Sequence, residues 1–284
     1  MSLRLVLLFL FLPISLHAGF ERSFRPASAF SMGTSGAASY GFGRWLVNPA
    51  SLAKTEYIYL LGSFNPAPFG ITELKETGAG GAFDTKAGGF GASASAFGYE
   101  LYQEFTGRIS WGRSIGSIFD IGLSLSYYHL SIQNYGSGGT TGLDAGVITH
   151  FGSSIRAGFV VTNINNPRIG SSREPLPQTI TIGTAIDLLP HVSISAELFK
   201  DFQFPVSMKY GLEYMPLNAL SFSVGTSSEP SIIAGGFGFS FSYFHIEYAI
   251  QYHQPLGISH YVTLAIAFSP IPPNPPSVGL LKGN

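Results

Sequence analysis

The feature that most constrains this chain is a two-residue alternation that recurs, segment after segment, over most of its length. Between Val206 and Tyr214, the residues Val206, Met208, Tyr210, Leu212 and Tyr214 interleave with Ser207, Lys209, Gly211 and Glu213. Near the C-terminus, Ile246, Tyr248, Ile250 and Tyr252 oppose Glu247, Ala249, Gln251 and His253. A strand sends successive side chains to opposite faces, so each segment has one oily face and one polar face. Fourteen such segments follow residue 56, near 57–64, 71–84, 87–98, 103–114, 118–133, 140–151, 155–163, 178–187, 191–199, 205–214, 219–226, 231–241, 244–253 and 259–268. Twelve is the fallback count. Tilted strands of about 9–11 residues are what a transmembrane β-barrel needs to cross the hydrocarbon layer.

The leader is consistent with that destination. Arg4 precedes an apolar run from Leu5 to Leu16, interrupted by Pro13 and Ser15, and His17-Ala18-Gly19 offers a processing site. Residues 1–18 therefore read as a signal peptide. The chain has no Cys, so neither a lipid-modified cysteine nor a disulfide framework is available. No later run of about 18 apolar residues is present to form a transmembrane helix.

Composition separates a barrel from a secreted sandwich, which also alternates. Only 11% of the residues are charged and mean hydropathy is +0.25, whereas soluble domains carry about 25% charged residues. A sandwich turns Lys and Glu to water. Here the polar face is mostly Ser, Thr, Gly and Ala, which suits a lumen or a packed interior. The net charge of −1 argues against nucleic-acid binding.

If the first strand runs outward, the inner turns fall at 84–86, 115–117, 152–154, 188–190, 215–218 and 242–243, all short, while 134–139 and 164–177 fall on the outside. Short inner turns and longer outer loops are the barrel pattern. Aromatic residues cluster at strand ends, as Tyr99, Tyr102 and Phe105, as Phe199, Phe202 and Phe204, and as Phe241, Tyr243 and Phe244. These predict interfacial girdles.

Two regions carry a family likeness. The run from Ser31 to Ala38, followed by Trp45-Leu46-Val47-Asn48-Pro49-Ala50-Ser51-Leu52-Ala53, resembles the opening of the PorV/FadL-like outer-membrane proteins. Leu176-Pro177 before Thr181-Ile182-Gly183, the run Lys209 to Tyr214, and Leu256 to His260 leading to Phe268 resemble the closing strands of PorV-type proteins. The resemblance implies an all-β, 14-stranded antiparallel barrel over 57–268 in the bacterial outer membrane, with a plug over 19–56. FadL-like members pass hydrophobic compounds, and PorV works with the type IX secretion machinery. The expected function is therefore a channel for small hydrophobic molecules; the alternative is a non-transporting partner of a secretion or envelope-assembly system. Expected partners are outer-membrane lipid, small hydrophobic ligands and, on the alternative reading, secretion-system proteins. This chain departs from the family in its short outer loops and in a Pro-rich tail over 269–284, which predicts an extended periplasmic segment.

Individual residues sharpen the expectation. Asn48 reads as a helix cap with Pro49 in the first turn, in a short helix through Leu52. The resemblance adds a gating or plug role for Asn48, Pro49 and Ala50. Gly88, Gly89 and Gly91 predict close approach of the plug; the resemblance to FadL-like channels offers a lateral opening in the wall there as the alternative. Arg108, Asp144, Arg156, Glu197, Lys209, Glu213 and Glu247 fall on the lumen face with both signs, so pairing is expected rather than a single-sign ring. His129, His150, His191, His245, His253 and His260 are scattered, with no nucleophile motif and no metal-type spacing. No enzyme activity, metal or cofactor is expected.

Overall fold

A computed structural model describes residues 19–217 and 219–271. The expected signal peptide, and residues 272–284 of the expected tail, lie outside the described residues. The barrel strands in chain order are β1 (Tyr59–Asn65), β2 (Lys75–Thr85), β3 (Gly88–Tyr99), β4 (Tyr102–Ile115), β5 (Phe119–Ile132), β6 (Gly136–Phe151) and β7 (Ile155–Thr162). A small hairpin of β8 (Arg168–Ile169) and β9 (Glu174–Pro175) follows in the next connection. The wall resumes with β10 (Thr179–Leu189), β11 (Val192–Asp201), β12 (Ser207–Leu217), β13 (Leu220–Ser227), β14 (Ile232–Phe241), β15 (Phe244–His253) and β16 (Gly257–Ala267). Fourteen of these strands form one closed antiparallel barrel, in which β1 pairs with both β2 and β16. Closure leaves no unpaired strand edge, which a bilayer does not tolerate.

The alternation sets the two faces as the sequence predicts. On β12, Met208, Tyr210, Leu212 and Tyr214 are exposed on the outside, whereas Ser207 and Lys209 are buried in the lumen. On β16, Ile258, Val262, Leu264 and Ile266 face out while Ser259, Tyr261, Thr263 and Ala265 face in. The outward band of exposed Ile, Leu, Val and Phe is the apolar surface that a bilayer covers. Phe105, Phe202, Phe204, Phe241, Tyr243 and Phe244 lie on this exterior as girdle residues should. Two members of the predicted girdle do not. Phe199 has the lumen-facing parity of β11 and carries the Lys209 ammonium 3.9 Å from its ring centre, and the Tyr102 hydroxyl donates to Glu104 of the lumen face at 2.5 Å.

The predicted strand near 71–84 begins later, at Lys75, because Pro68–Gly70 forms a 3-10 turn and Leu74 N–H closes a further turn on Ile71 O. The predicted outer connection at 134–139 is shorter, since β6 starts at Gly136 and β5 and β6 pair as far as Ile132 and Gly136. The connection between β3 and β4, also on the outer side, is only two residues. Loop length therefore separates the two ends less cleanly than expected. The described start of the tail does not extend away from the barrel: Ile271 N–H donates to Ser242 O at 2.7 Å, and its side chain packs with Trp45, Leu46, Tyr59 and Ala267 at the inner end.

Mid-strand Ile109 faces outward at 60% exposure. Ile109→Arg should cost about 2–4 kcal/mol in urea-driven folding into lipid vesicles, while Leu101→Arg, in the turn before β4, should cost about 0–1 kcal/mol. Equal costs at the two positions would remove Ile109 from the middle of the bilayer.

Candidate functional site

The lumen is occupied by the chain's own N-terminal segment, and lumen-facing charges of the wall meet it. Arg22 donates to Glu76 of β2 through Nε and Nη2 at 3.1 and 2.9 Å, and through Nη2 to the Tyr261 hydroxyl of β16 at 2.7 Å. Its guanidinium also lies over Phe69 and Phe97, at 4.8 and 5.6 Å from the ring centres. A short helix, α1 (Ala27–Ser31), follows Pro26. Its first amides are satisfied by the wall: Ala27 N–H donates to Thr263 Oγ1 at 2.9 Å and Ser28 N–H to Glu247 Oε2 at 2.8 Å. The turns beyond it continue the pattern. Ser31 and Ser35 hydroxyls meet those of Ser223 and Ser195 at 2.6 and 3.0 Å, and the amides of Gly36 and Ala37 both donate to Glu197 Oε1 at 2.6 Å.

The second half of the plug is held by cations and by one amide. Arg156 donates to Ala38 O at 3.1 Å and pairs with Asp187 at 2.7 Å. Arg108 donates to Leu46 O at 3.0 Å and sits 3.3 Å from Asp144. Asn48 caps the 3-10 helix Pro49–Lys54 by accepting from Ala50 N–H at 3.0 Å. Its Nδ2 donates back to Ala37 O at 2.5 Å and across to Val147 O of β6 at 3.3 Å. At the inner end the Tyr40 hydroxyl donates to Asp120 Oδ2 at 2.5 Å, and His150 Nε2 lies 2.9 Å from both groups. Burial, and then the Asp120 carboxylate, push the Tyr40 hydroxyl far above its ordinary pKa, so it stays a donor.

The wall is shaped to let this backbone in. A Cβ added at lumen-facing Gly89, Gly112, Gly122, Gly146, Gly158 or Gly225 would overlap Leu52 O, Pro49 O, Ala50 N, Asn48 Oδ1, Ala37 O or Met32 C respectively. These six glycines lie on six different strands, β3 to β7 and β13. Each marks a place where the plug touches the wall with no wall side chain between them.

Among the described residues, two cavities that share no lining residue lie against the plug. The outer one, of about 100 Å³, lies between Phe20–Arg25 of the plug and wall residues such as Arg108, Tyr128 and Asp201. The inner one, of about 230 Å³, is lined by Tyr40, Phe42, Trp45, Tyr57 and Tyr59 and by the wall residues Glu213, His245 and Glu247.

The structure thus places the predicted residues as follows. Asn48, Pro49 and Ala50 sit in the plug against β5 and β6. Gly89 and Gly91 face the plug, with Trp45 3.1 Å from a Cβ at Gly91, and Gly88 opens β3 directly after the inner turn at φ +118°. β3 is paired to β2 and β4 with no register shift. Arg108 and Asp144 are together, Glu197 and Glu247 bind plug amides, Lys209 lies over Phe199, and Glu213 faces the inner cavity. Glu76, Glu104, Asp120, Asp187 and Arg22 were not anticipated. The four acids share the lumen parity of Gly78, Arg108, Ser124 and Ala185 on their own strands, so carrying the alternation through every charged position would have found them. Arg22 has no such signal, because it lies in no strand.

No family model matches this sequence, and no curated protein is similar to it by sequence. Among solved structures it is similar to the toluene transporter TbuX of Ralstonia pickettii, with a TM-score of 0.61 and 13% identity over 86% of this chain and 97% of that one. It is similar to the toluene transporter TodX of Pseudomonas putida, with 0.61 and 12% over 87% and 98%, and to a FadL homologue of Pseudomonas aeruginosa, with 0.56 and 10% over 89% and 100%. At these identities the shared property is the fold. An even-stranded, closed antiparallel barrel with an apolar outside is the architecture of the bacterial outer membrane, and that is where this chain belongs.

If the plug is seated by backbone contact, small changes at the contact should loosen it. Gly146→Ala and Asn48→Ala should each speed protease cleavage within residues 19–56 of the folded protein, and Asn48→Ala should cost about 1–2 kcal/mol for the lost cap. Gly235→Ala, where the nearest atom is 3.6 Å from the added carbon, should change neither. Equal protease resistance in all three variants would contradict tight seating.

Proposed function

We propose that this chain is a passage for small hydrophobic molecules across the outer membrane, with residues 19–56 as the barrier that shapes it. The observation that carries this reading is the pair of separate cavities, one on each side of the plug, the larger walled by aromatic rings. Open water-filled pores do not need such a barrier. TbuX and TodX, described as toluene transporters, and CymD, described as a monoaromatic hydrocarbon channel, have the same fold and support the reading. The plug is held by non-covalent polar contacts, each worth roughly 0.5–1.5 kcal/mol net, or about 1.5–3 kcal/mol where a charge takes part. A local shift that breaks two or three of them is within thermal reach on the millisecond scale.

Within this reading Asn48, Pro49 and Ala50 act as the gate, since the Asn48 side chain ties two turns of the plug to each other and to the wall. A lateral exit at Gly88, Gly89 and Gly91 requires β3 to part from a neighbour. A role as partner of a secretion or envelope-assembly system is the second reading, and the Pro-rich tail favours it.

Vesicles containing the folded protein should take up toluene faster than protein-free vesicles, and Asn48→Ala should raise the rate several-fold. Uptake no faster than in empty vesicles, together with stoichiometric recovery of secretion-system proteins from native membranes, would favour the second reading. The lateral exit has its own check. Ala92 and Ile109 are direct partners on the lipid face of β3 and β4, so a short bismaleimide joining Ala92→Cys to Ile109→Cys should slow uptake if molecules leave there, and an unchanged rate would eliminate that route.

A further inference from the structure

The inner cavity carries polar chemistry that the anchoring of the plug leaves unused. Its volume of about 230 Å³ compares with the ~150 Å³ apolar cavity that takes up benzene. One side is aromatic: Phe42 meets the edge of Tyr59 at 4.9 Å and stacks on His245 at 4.9 Å between ring centres. The opposite side is polar, and its members differ in whether they are satisfied. Glu247 is engaged twice, by Ser28 N–H at 2.8 Å and by His245 Nε2 at 3.0 Å, with His245 Nδ1 in turn 2.7 Å from Ser240 Oγ. Glu213 makes no hydrogen bond and no ion pair among the described residues.

Arg44 is 5% exposed and donates to neutral acceptors, at 3.3 Å to Ser35 O and 3.5 Å to Met32 Sδ. No ion pair joins it to Glu213 or Glu247 among the described residues, although all three line the same space. Trp45 is 1% exposed, and its Nε1–H is directed at the Tyr59 hydroxyl without closing a hydrogen bond of good geometry; Ser28 Oγ has no hydrogen-bond partner among the described residues. Buried polar groups are rarely left unpaired, and each such group calls for an explanation. Here an acceptor and several donors surround one cavity whose other wall is aromatic.

The groups specify what fits. A formal charge of either sign would meet a like charge, the carboxylates in one case and Arg44 in the other. A hydroxyl both donates and accepts, so one hydroxyl can donate to Glu213 while accepting from Arg44 or Trp45 Nε1. We propose that the inner cavity is a binding site for an uncharged, hydroxylated single-ring aromatic molecule, a phenol, with its ring against Phe42 and Tyr59 and its hydroxyl between Arg44 and Glu213. This deepens the passage reading and rests on it: a molecule crossing the plug would pause here by its polar end.

The test compares p-cresol with toluene, which differ only by the hydroxyl. Full-length protein folded in detergent micelles is dialysed to equilibrium against each labelled compound, with protein-free micelles as the reference. Saturable binding of one p-cresol per chain, about tenfold tighter than toluene, is expected. Glu213→Leu should shrink that preference to less than about threefold while the variant remains heat-modifiable on gels. Equal binding of the two compounds by the wild type overturns the proposal whether or not the variant folds, and so does a preference that survives in Glu213→Leu. Vesicle flux separates this from the passage reading. Toluene flux with no p-cresol preference removes the site and leaves the passage, whereas p-cresol retention with no flux of either compound removes the passage and leaves the site.

Discussion

A peptide backbone enclosed in a barrel brings its own amides and carbonyls out of water, and every one of them needs a partner. That requirement organises this molecule. Buried backbone polar groups are costly when orphaned, and a plug with little regular structure cannot satisfy them internally as a long helix would. The wall supplies the missing partners: Thr263 and Glu247 for the first turn of α1, Glu197 for two consecutive amides, Arg156 and Arg108 for two carbonyls. The lumen charges are placed by the plug's backbone as much as by anything that passes through.

Side-chain-free contact is the complement of those hydrogen bonds. Where the plug's carbonyls and turns press on the wall, the wall has glycine, so two layers of chain come within the reach of a single missing carbon. Where the plug stands off from the wall, space opens into cavities and the lining turns aromatic. Wall composition therefore varies around the circumference and along the axis in register with the plug, while the lipid face stays uniformly apolar. The low charge content of the sequence reflects both constraints, one from lipid and one from a lumen already filled by chain.

The barrel was legible in the sequence because its signal is redundant. Fourteen alternating segments report the same period, and an error at the end of one, as at Lys75 or Gly136, does not disturb the rest. Phe199 and Tyr102 show where the shortcut failed: aromatic identity near a strand end suggested the membrane interface, but parity along the strand puts both rings inside. The plug was legible as a segment, from its Gly- and Ala-rich run and the Asn-Pro-Ala element. Its contacts were not. Arg22 meets Glu76 and Tyr261 across 54 and 239 residues of sequence, and nothing local marks any of the three as a partner of the others. The inner cavity arises from the fit of Phe42, Trp45 and Tyr59 to β12 and β15, a three-dimensional property with no linear signature.

The seam where β1 meets β16 sets an order in time. Tyr59 of the first barrel strand pairs with Ala267 of the last, and the same closing strand offers Tyr261 and Thr263 to the plug. Immediately beyond it, Ile271 tucks under Trp45 and Leu46. The N-terminal segment is made first, yet its final contacts do not exist until the last strand has arrived. Contacts of such sequence separation form slowly. The ring and its contents are thus completed together, and until that moment the growing barrel has an open side through which the plug is still accessible to whatever assembles it.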